Sequence, residues 1–250
     1  MKTEIRVVED GAELAGAGAD EFRGRALEAV AAGGAFRVVL SGGSTPRSLF
    51  SLLAGEPYRA QLPWDAIHFF WGDERPVPPD HPDSNYGMAR ETLLSRVPVP
   101  PANVHRIPGE EEDAGAAAAA YERTLKGFFR LTGEERPRFD LVYLGLGPDG
   151  HTASLFPGTK ALHEERRLVV ANWIGKLYTH RITLTAPVLN AAALVVFLVA
   201  GADKAVPLKA VLEGPREPDQ LPAQLVRPEG GRLVWLVDRS AAARLGSGHS

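Results

Sequence analysis

His151 follows directly on the turn Gly147-Pro-Asp-Gly150. Imidazole is the one side chain whose ordinary pKa suits proton transfer near neutrality. Asp149, two residues earlier, is an acceptor that could fix the ring's tautomer and raise its basicity, as the acidic member does in hydrolytic triads. Ser41-Gly-Gly-Ser-Thr-Pro-Arg47 offers a different chemistry. Gly42 and Gly43 let backbone N–H groups approach an oxyanion, Ser44 and Thr45 add hydroxyls, and a helix start adds partial positive charge. A monophosphate on a small molecule fits such a cradle, with Arg47 beside it. No Gly-Lys-Ser/Thr follows, so a nucleoside triphosphate is not indicated. Asp73-Glu74-Arg75 puts two carboxylates and a guanidinium on one stretch. Arg75 could bind phosphate or carboxylate, or stabilise a developing oxyanion, with Asp73 and Glu74 in support. Lys204 could project to the same edge as a phosphate partner, while Asp203 beside it reads as a helix cap.

Each stretch also has a plain structural reading: a capped strand with an exposed histidine, a glycine turn with a helix cap, a salt-bridged loop. What argues for a site is the placement of all four on the elements that carry them. The apolar run over residues 141–146 reads as a strand buried on both faces, delivering His151 into its turn. Further strands are expected at residues 4–8, 36–40, 66–71, 168–171, 181–185, 194–199 and 232–237. Helices are expected over 12–32, from about 47, and over 87–95, 113–129, 187–192 and 204–212, with Ser44 or Thr45 capping the second. Residues 76–82, 98–108 and 214–222 read as loops or extended linker, and the first of these could close over a substrate.

Strands alternating with helices imply an α/β fold, a mostly parallel sheet with helices on both faces. Right-handed crossovers place the loops after strands on one edge, and those loops begin at Ser41, Gly72, Gly147 and Gly201. Arg181 begins its strand, so connectivity alone puts it at the opposite edge. Only an antiparallel or offset strand would bring it to the site. No internal repeat or marked linker divides the chain, which reads as one domain over residues 1–243 with a mobile tail over 244–250.

Composition narrows the partners. The chain has 250 residues, 44% of them hydrophobic and 24% charged, which allows one large core. The net charge of -3 with dispersed Lys and Arg disfavours nucleic acid. There is no cysteine, which excludes disulfides and thiolate chemistry. No apolar run approaches the ~20 residues that span a bilayer, and the first residues lack a signal-peptide core, so a cytoplasmic protein without a membrane partner is expected. Gly145-Leu-Gly-Pro-Asp-Gly150 formally matches a dinucleotide glycine pattern, but Pro148 and Pro157 crowd the place where the helix must open. The seven histidines show no i, i+4 pair and no His-Glu helix motif, so no metal is expected. No Gly-x-Ser-x-Gly elbow supports a serine hydrolase.

Four ordered motifs, Leu40-Ser-Gly-Gly-Ser-Thr-Pro46, Trp71-Gly-Asp-Glu-Arg75 with Asp83-Ser-Asn-Tyr86, Gly145-Leu-Gly-Pro-Asp-Gly-His-Thr-Ala-Ser154 and Arg181-Ile-Thr-Leu-Thr185, together resemble the 6-phosphogluconolactonase family. The resemblance implies a Rossmann-like sheet of the sugar-phosphate isomerase/deaminase type. It implies hydrolysis of 6-phosphogluconolactone to 6-phosphogluconate in the oxidative pentose phosphate route, without metal or cofactor. The residues accommodate that reaction. His151, oriented by Asp149, would activate water, and Arg75 would face the oxyanion. Gly42, Gly43, Ser44, Thr45, Arg47, Lys204 and Arg181 would hold the phosphate. The expected partner is a sugar-phosphate lactone, and the expected assembly a monomer or weak homo-oligomer. Two rivals share these residues: a glucosamine-6-phosphate deaminase or isomerase, and a non-catalytic sugar-phosphate sensor.

Overall fold

Short runs of β-branched and aromatic residues build a seven-stranded parallel sheet, which a computed structural model describes from residue 2 to residue 246. Its strands are β1 (Lys2–Val8), β2 (Phe36–Leu40), β3 (Ile67–Trp71), β5 (Val104–His105), β6 (Leu141–Leu144), β9 (Leu194–Val199) and β10 (Arg232–Asp238). They lie in the order β1-β10-β9-β6-β2-β3-β5. All four residues of β6 and all six of β9 are buried, as their unbroken apolar runs require of strands covered on both faces. β6 lies between β2 and β9, in register Val39↔Val142 and Val142↔Val195. The chain leaves β2 towards β3 on one side and reaches β6 on the other. That divergence opens a crevice beyond the carboxyl ends of these strands, where open α/β sheets bind their ligands.

Helices cover the sheet because their small residues permit close approach. The helix Gly11–Ala31 is capped by Asp10, whose carboxylate accepts from Ala12 N and Glu13 N at 2.9 Å. It buries Leu14, Gly18, Phe22 and Ala26 on one stripe. A Cβ at Gly18 would lie 2.4 Å from Leu49, and Gly18 O accepts from the Tyr143 hydroxyl at 2.7 Å. Helix, sheet and second helix therefore lock together at that glycine.

The parallel sheet answers the sequence-based expectation, but a second sheet was not anticipated. β4 (Asp73–Glu74), β7 (Val169–Ile174) and β8 (Thr179–Leu184) form an antiparallel three-stranded sheet in the order β4-β8-β7. After β3 the chain kinks at Gly72, whose carbonyl accepts from Leu184 N at 2.8 Å, and pairs with β8 instead of looping away. The helix Ala114–Phe129 packs on this sheet, and its Glu122 accepts from Leu168 N at 2.8 Å to fix the start of β7.

Smaller expectations also change. The expected linker over 98–108 contains β5, and the expected helix over 87–95 is Asn85–Ala89 followed by a wider turn over Arg90–Leu94. Asp203 caps nothing; it pairs with Lys204 at 3.0 Å, and Lys204 itself precedes the helix Ala205–Glu213. Of the expected mobile tail, Leu245 packs on the core and Gly246 N donates to Glu213, while residues 247–250 lie outside the described residues.

Candidate active site

Five chain segments meet at the carboxyl ends of β2, β3, β6 and β9 around a cavity of about 480 Å³. The first is the loop after β2. Gly43 takes φ +109°, a conformation that suits glycine, and the helix Ser44–Leu53 starts one residue later. Neither Ser44 nor Thr45 caps it, contrary to expectation, because Gly43 occupies the capping position and Ser44 is already helical. Both hydroxyls therefore stay available to the cavity that they line. Ser41 lines it too, its hydroxyl buried without a hydrogen-bond partner. Gly42 must lack a side chain: a Cβ there would fall 1.9 Å from Asn85 Oδ1.

The second segment is β4 and its continuation. Asp73 is buried, accepting from the Ser154 hydroxyl at 2.6 Å and from Asn85 Nδ2 at 3.3 Å, so it ties the β3, Asn85 and His151 loops together. Glu74 lies beneath the cavity, 2% exposed. Its carboxylate accepts from the backbone N–H groups of Arg75, Asn85 and Tyr86, each at 2.8 Å, and from Ser84 Oγ at 3.2 Å. Burial pushes its carboxyl above the ordinary range, and the three backbone donors oppose that. Glu74 thus shapes the loop that holds Arg75 and Asn85. Glu74→Ala would leave one buried and two part-buried N–H groups unpaired and is expected to destabilise the protein by about 2–4 kcal/mol. Urea denaturation measures this directly, and an unchanged midpoint would remove Glu74 from that role.

Arg75 lines the cavity while donating to Asp83 O at 2.5 Å, which leaves most of its five N–H groups free. Arg181, on β8, stands beside it. Burial and then the positive charge of Arg75 push the Arg181 pKa down, against the pull of Asp73, Asp83 and Glu74. Two guanidinium groups lining one cavity favour an anion between them. The antiparallel pairing of β8 with β4 is what carries Arg181 across to the site, the exception that connectivity alone left open. Lys204, after β9, lines the same cavity.

The fifth segment bears the histidine. Gly147 N donates to His151 O at 2.8 Å, and a Cβ at Gly147 would lie 2.0 Å from His151 Nδ1. Gly150 adopts φ +76°, and its backbone meets Leu221 closely. This tight turn leaves the imidazole one pose. Nδ1 lies 2.5 Å from Asp149 Oδ1, and the ring stacks on Phe156 with centroids 4.0 Å apart. Nε2 has no hydrogen-bond partner among the described residues, and His151 lines the cavity. Partial burial works to raise the Asp149 carboxyl, but hydrogen bonds from Lys176 and His151 outweigh it and hold the pKa at about 2. Asp149 is accordingly a carboxylate at any working pH. With the other ring nitrogen on that carboxylate, Nε2 can act as an acceptor towards a water in the cavity.

Gly42, Gly43, Ser44, Thr45, Asp73, Arg75, His151, Arg181 and Lys204 thus share one cavity, with Asp149 behind the imidazole. Arg47 does not join them; it pairs with Glu91 at 3.2 Å on the outer side of its helix. The loop over 76–82 contributes nothing to the wall. Sequence reasoning missed Lys176, Phe156 and the bridging role of Asn85. Asn85 and Phe156 lay in or beside quoted motifs, whereas nothing in the local pattern marked Lys176. Larger hollows of about 730 and 1020 Å³ exist, but neither gathers these donors around an unpartnered histidine nitrogen. No group of three metal-ligating side chains occurs among the described residues.

The family described as glucosamine-6-phosphate isomerases/6-phosphogluconolactonase matches residues 9–235. A 6-phosphogluconolactonase of Nostoc sp. (strain PCC 7120) is 42% identical over 245 residues, covering 98% of this chain and 99% of its own. One of Synechocystis sp. (strain PCC 6803) is 46% identical over 222 residues, covering 88% and 89%. Among solved structures, 6-phosphogluconolactonase from Trypanosoma cruzi superposes with a TM-score of 0.86 at 31% identity, covering 98% of this chain and 97% of that one. A monomeric glucosamine-6-phosphate deaminase superposes with a TM-score of 0.80 over 96% of this chain and 99% of its own, but at 19% identity, a likeness of fold alone.

Proposed function

The chain belongs to the family of glucosamine-6-phosphate isomerases and 6-phosphogluconolactonases, as a lactone-hydrolysing enzyme of its second branch, and from that premise we propose how its residues open 6-phosphogluconolactone to 6-phosphogluconate in the oxidative pentose phosphate route. The observation that carries the reading is that His151, with Nδ1 on Asp149 and no hydrogen-bond partner on Nε2 among the described residues, lines the same 480 Å³ cavity as the residue 42–45 loop. The phosphate sits against the amides and hydroxyls of Gly42, Gly43, Ser44 and Thr45, with Lys204 and Arg181 neutralising its charge. Held at that end, the lactone presents C1 to His151, and the binding energy of the remote phosphate orients the reacting carbon.

His151 Nε2 takes a proton from a water molecule as its oxygen attacks C1. The carbonyl π pair moves onto oxygen, where Arg75 stabilises the charge. As the tetrahedral intermediate collapses, the bond from C1 to the ring oxygen breaks, and the imidazolium returns its proton to that oxygen. Asp149 stabilises the imidazolium between the two transfers without itself becoming protonated. The overall change is addition of one water, and the residues need no further reagent for it. The cytoplasmic setting belongs to this proposal as well; an Arabidopsis thaliana relative at 43% identity is named chloroplastic.

The purified chain is expected to accelerate formation of 6-phosphogluconate above the spontaneous rate, read by coupled oxidation of that product. It should release no ammonia from glucosamine 6-phosphate. A rate equal to the spontaneous one, or release of ammonia, would overturn the assignment.

A further inference from the structure

Lys176 sits on the short turn Gly175–Leu177 that joins β7 to β8, 25 residues along the chain from His151. Its ammonium makes an ion pair with Asp149 Oδ2, while the other oxygen of that carboxylate, Oδ1, lies 2.5 Å from His151 Nδ1. The same ammonium lies 4.9 Å from the centroid of Phe156, the ring stacked on the imidazole. Carboxylate and stacking ring, the two groups that hold His151, are therefore both held in turn by Lys176. We propose that Lys176 is a positioning residue that shares the Asp149 carboxylate with His151 and keeps the imidazole neutral, and so able to accept a proton, at lower pH than Asp149 alone would allow.

The physical reason is charge balance. A lone carboxylate beside an imidazole favours its protonated form. A cation on the second carboxylate oxygen cancels much of that attraction while leaving the hydrogen bond that orients the ring. His151 then keeps the tautomer imposed by Asp149 without being drawn into its protonated form by that carboxylate before substrate arrives, which a general base near neutral pH requires. The other charged groups lining the cavity are Asp73 and Arg75 on and after β4, Arg181 on β8 and Lys204 after β9; the loop after β2 brings hydroxyls and amides up to Pro46. Those charges stay in place when Lys176 changes, so a Lys176 variant isolates its contribution. The turn also gives Lys176 a fixed reach, since Tyr178 holds φ +49° and β7 pairs with β8 directly behind it.

This inference rests on His151 being the base, and the test separates the two. In Lys176→Gln, NMR titration of the His151 ring nitrogens is expected to move up by about one pH unit, the scale of one nearby charge at a partly screened site. The acid limb of kcat/KM should move by the same amount, with KM above that limb changed less than about threefold and Lys176→Arg restoring both. A lowered kcat with both titrations unmoved would make Lys176 merely structural, and a raised KM at every pH would make it a substrate contact; either overturns the proposal. A moved ring titration with an unmoved kinetic limb would uphold Lys176 and instead remove His151 as the base.

Discussion

His151→Ala is expected to lower kcat by about 10²–10⁴ with KM changed only a few-fold. The expectation follows from how little else in the cavity can take a proton. Asp149 is held at a pKa of about 2 and sits behind the ring, and Asp73 is enclosed by Ser154 and Asn85. The amides around Gly42 and the four cations of the wall, Arg75, Lys176, Arg181 and Lys204, donate and cannot accept. On the proposed mechanism, removing the imidazole would leave the phosphate contacts in place, so binding should survive while water activation is lost. The coupled assay checks this once the spontaneous opening of the lactone is subtracted. An unchanged kcat would take His151 out of the mechanism.

Arg181→Ala is expected to raise KM by about 10- to 100-fold, the range of one charge-assisted hydrogen bond at 1.5–3 kcal/mol. Its effect on kcat should be much smaller. Arg181 lines the cavity together with Arg75, whose positive charge works with burial to lower the Arg181 pKa, an arrangement that favours an anionic ligand. A phosphate is such a ligand, whereas the lactone carbonyl carries negative charge only in the transition state. Unphosphorylated gluconolactone distinguishes the two roles. The variant and the parent should open it equally well, because the contact that Arg181 supplies is missing from that substrate. Equal losses on both lactones would place Arg181 at the carbonyl instead and transfer the phosphate to Lys204 and the residue 42–45 loop.

Which segments bear the site was legible wherever the chemistry is local. Gly147-Pro-Asp-Gly150 places Asp149 and His151 within one turn, so their contact needs no information from elsewhere. The loop after β2 is similar, because consecutive glycines before a helix start expose backbone amides whatever surrounds them. One local inference failed for an equally local reason. Ser44 or Thr45 was expected to cap the helix, but Gly43, at φ +109°, takes the capping position and Ser44 is already the first helical residue. Arg47 was expected to face the same ligand, yet its long side chain reaches Glu91 on a neighbouring segment. A helical residue three positions after Ser44 can face either way, and the choice depends on what packs beside it.

Residue order alone determined the alternation of strand and helix, the burial of β6 and β9, and the delivery of four polar loops to one edge of a parallel sheet. It did so because apolar periodicity and turn chemistry act over a few neighbouring residues. Tertiary structure decided the rest. A two-residue strand, β4, is too short to show periodicity, yet its pairing turns β8 antiparallel and swings Arg181 over the crevice. The β7–β8 connection likewise carries Lys176 to Asp149, and Glu74 gathers N–H groups from three later or adjoining residues into one buried carboxylate. These contacts join segments far apart in the chain. Their energies depend on distance and burial in the folded molecule, which no window of neighbouring residues contains.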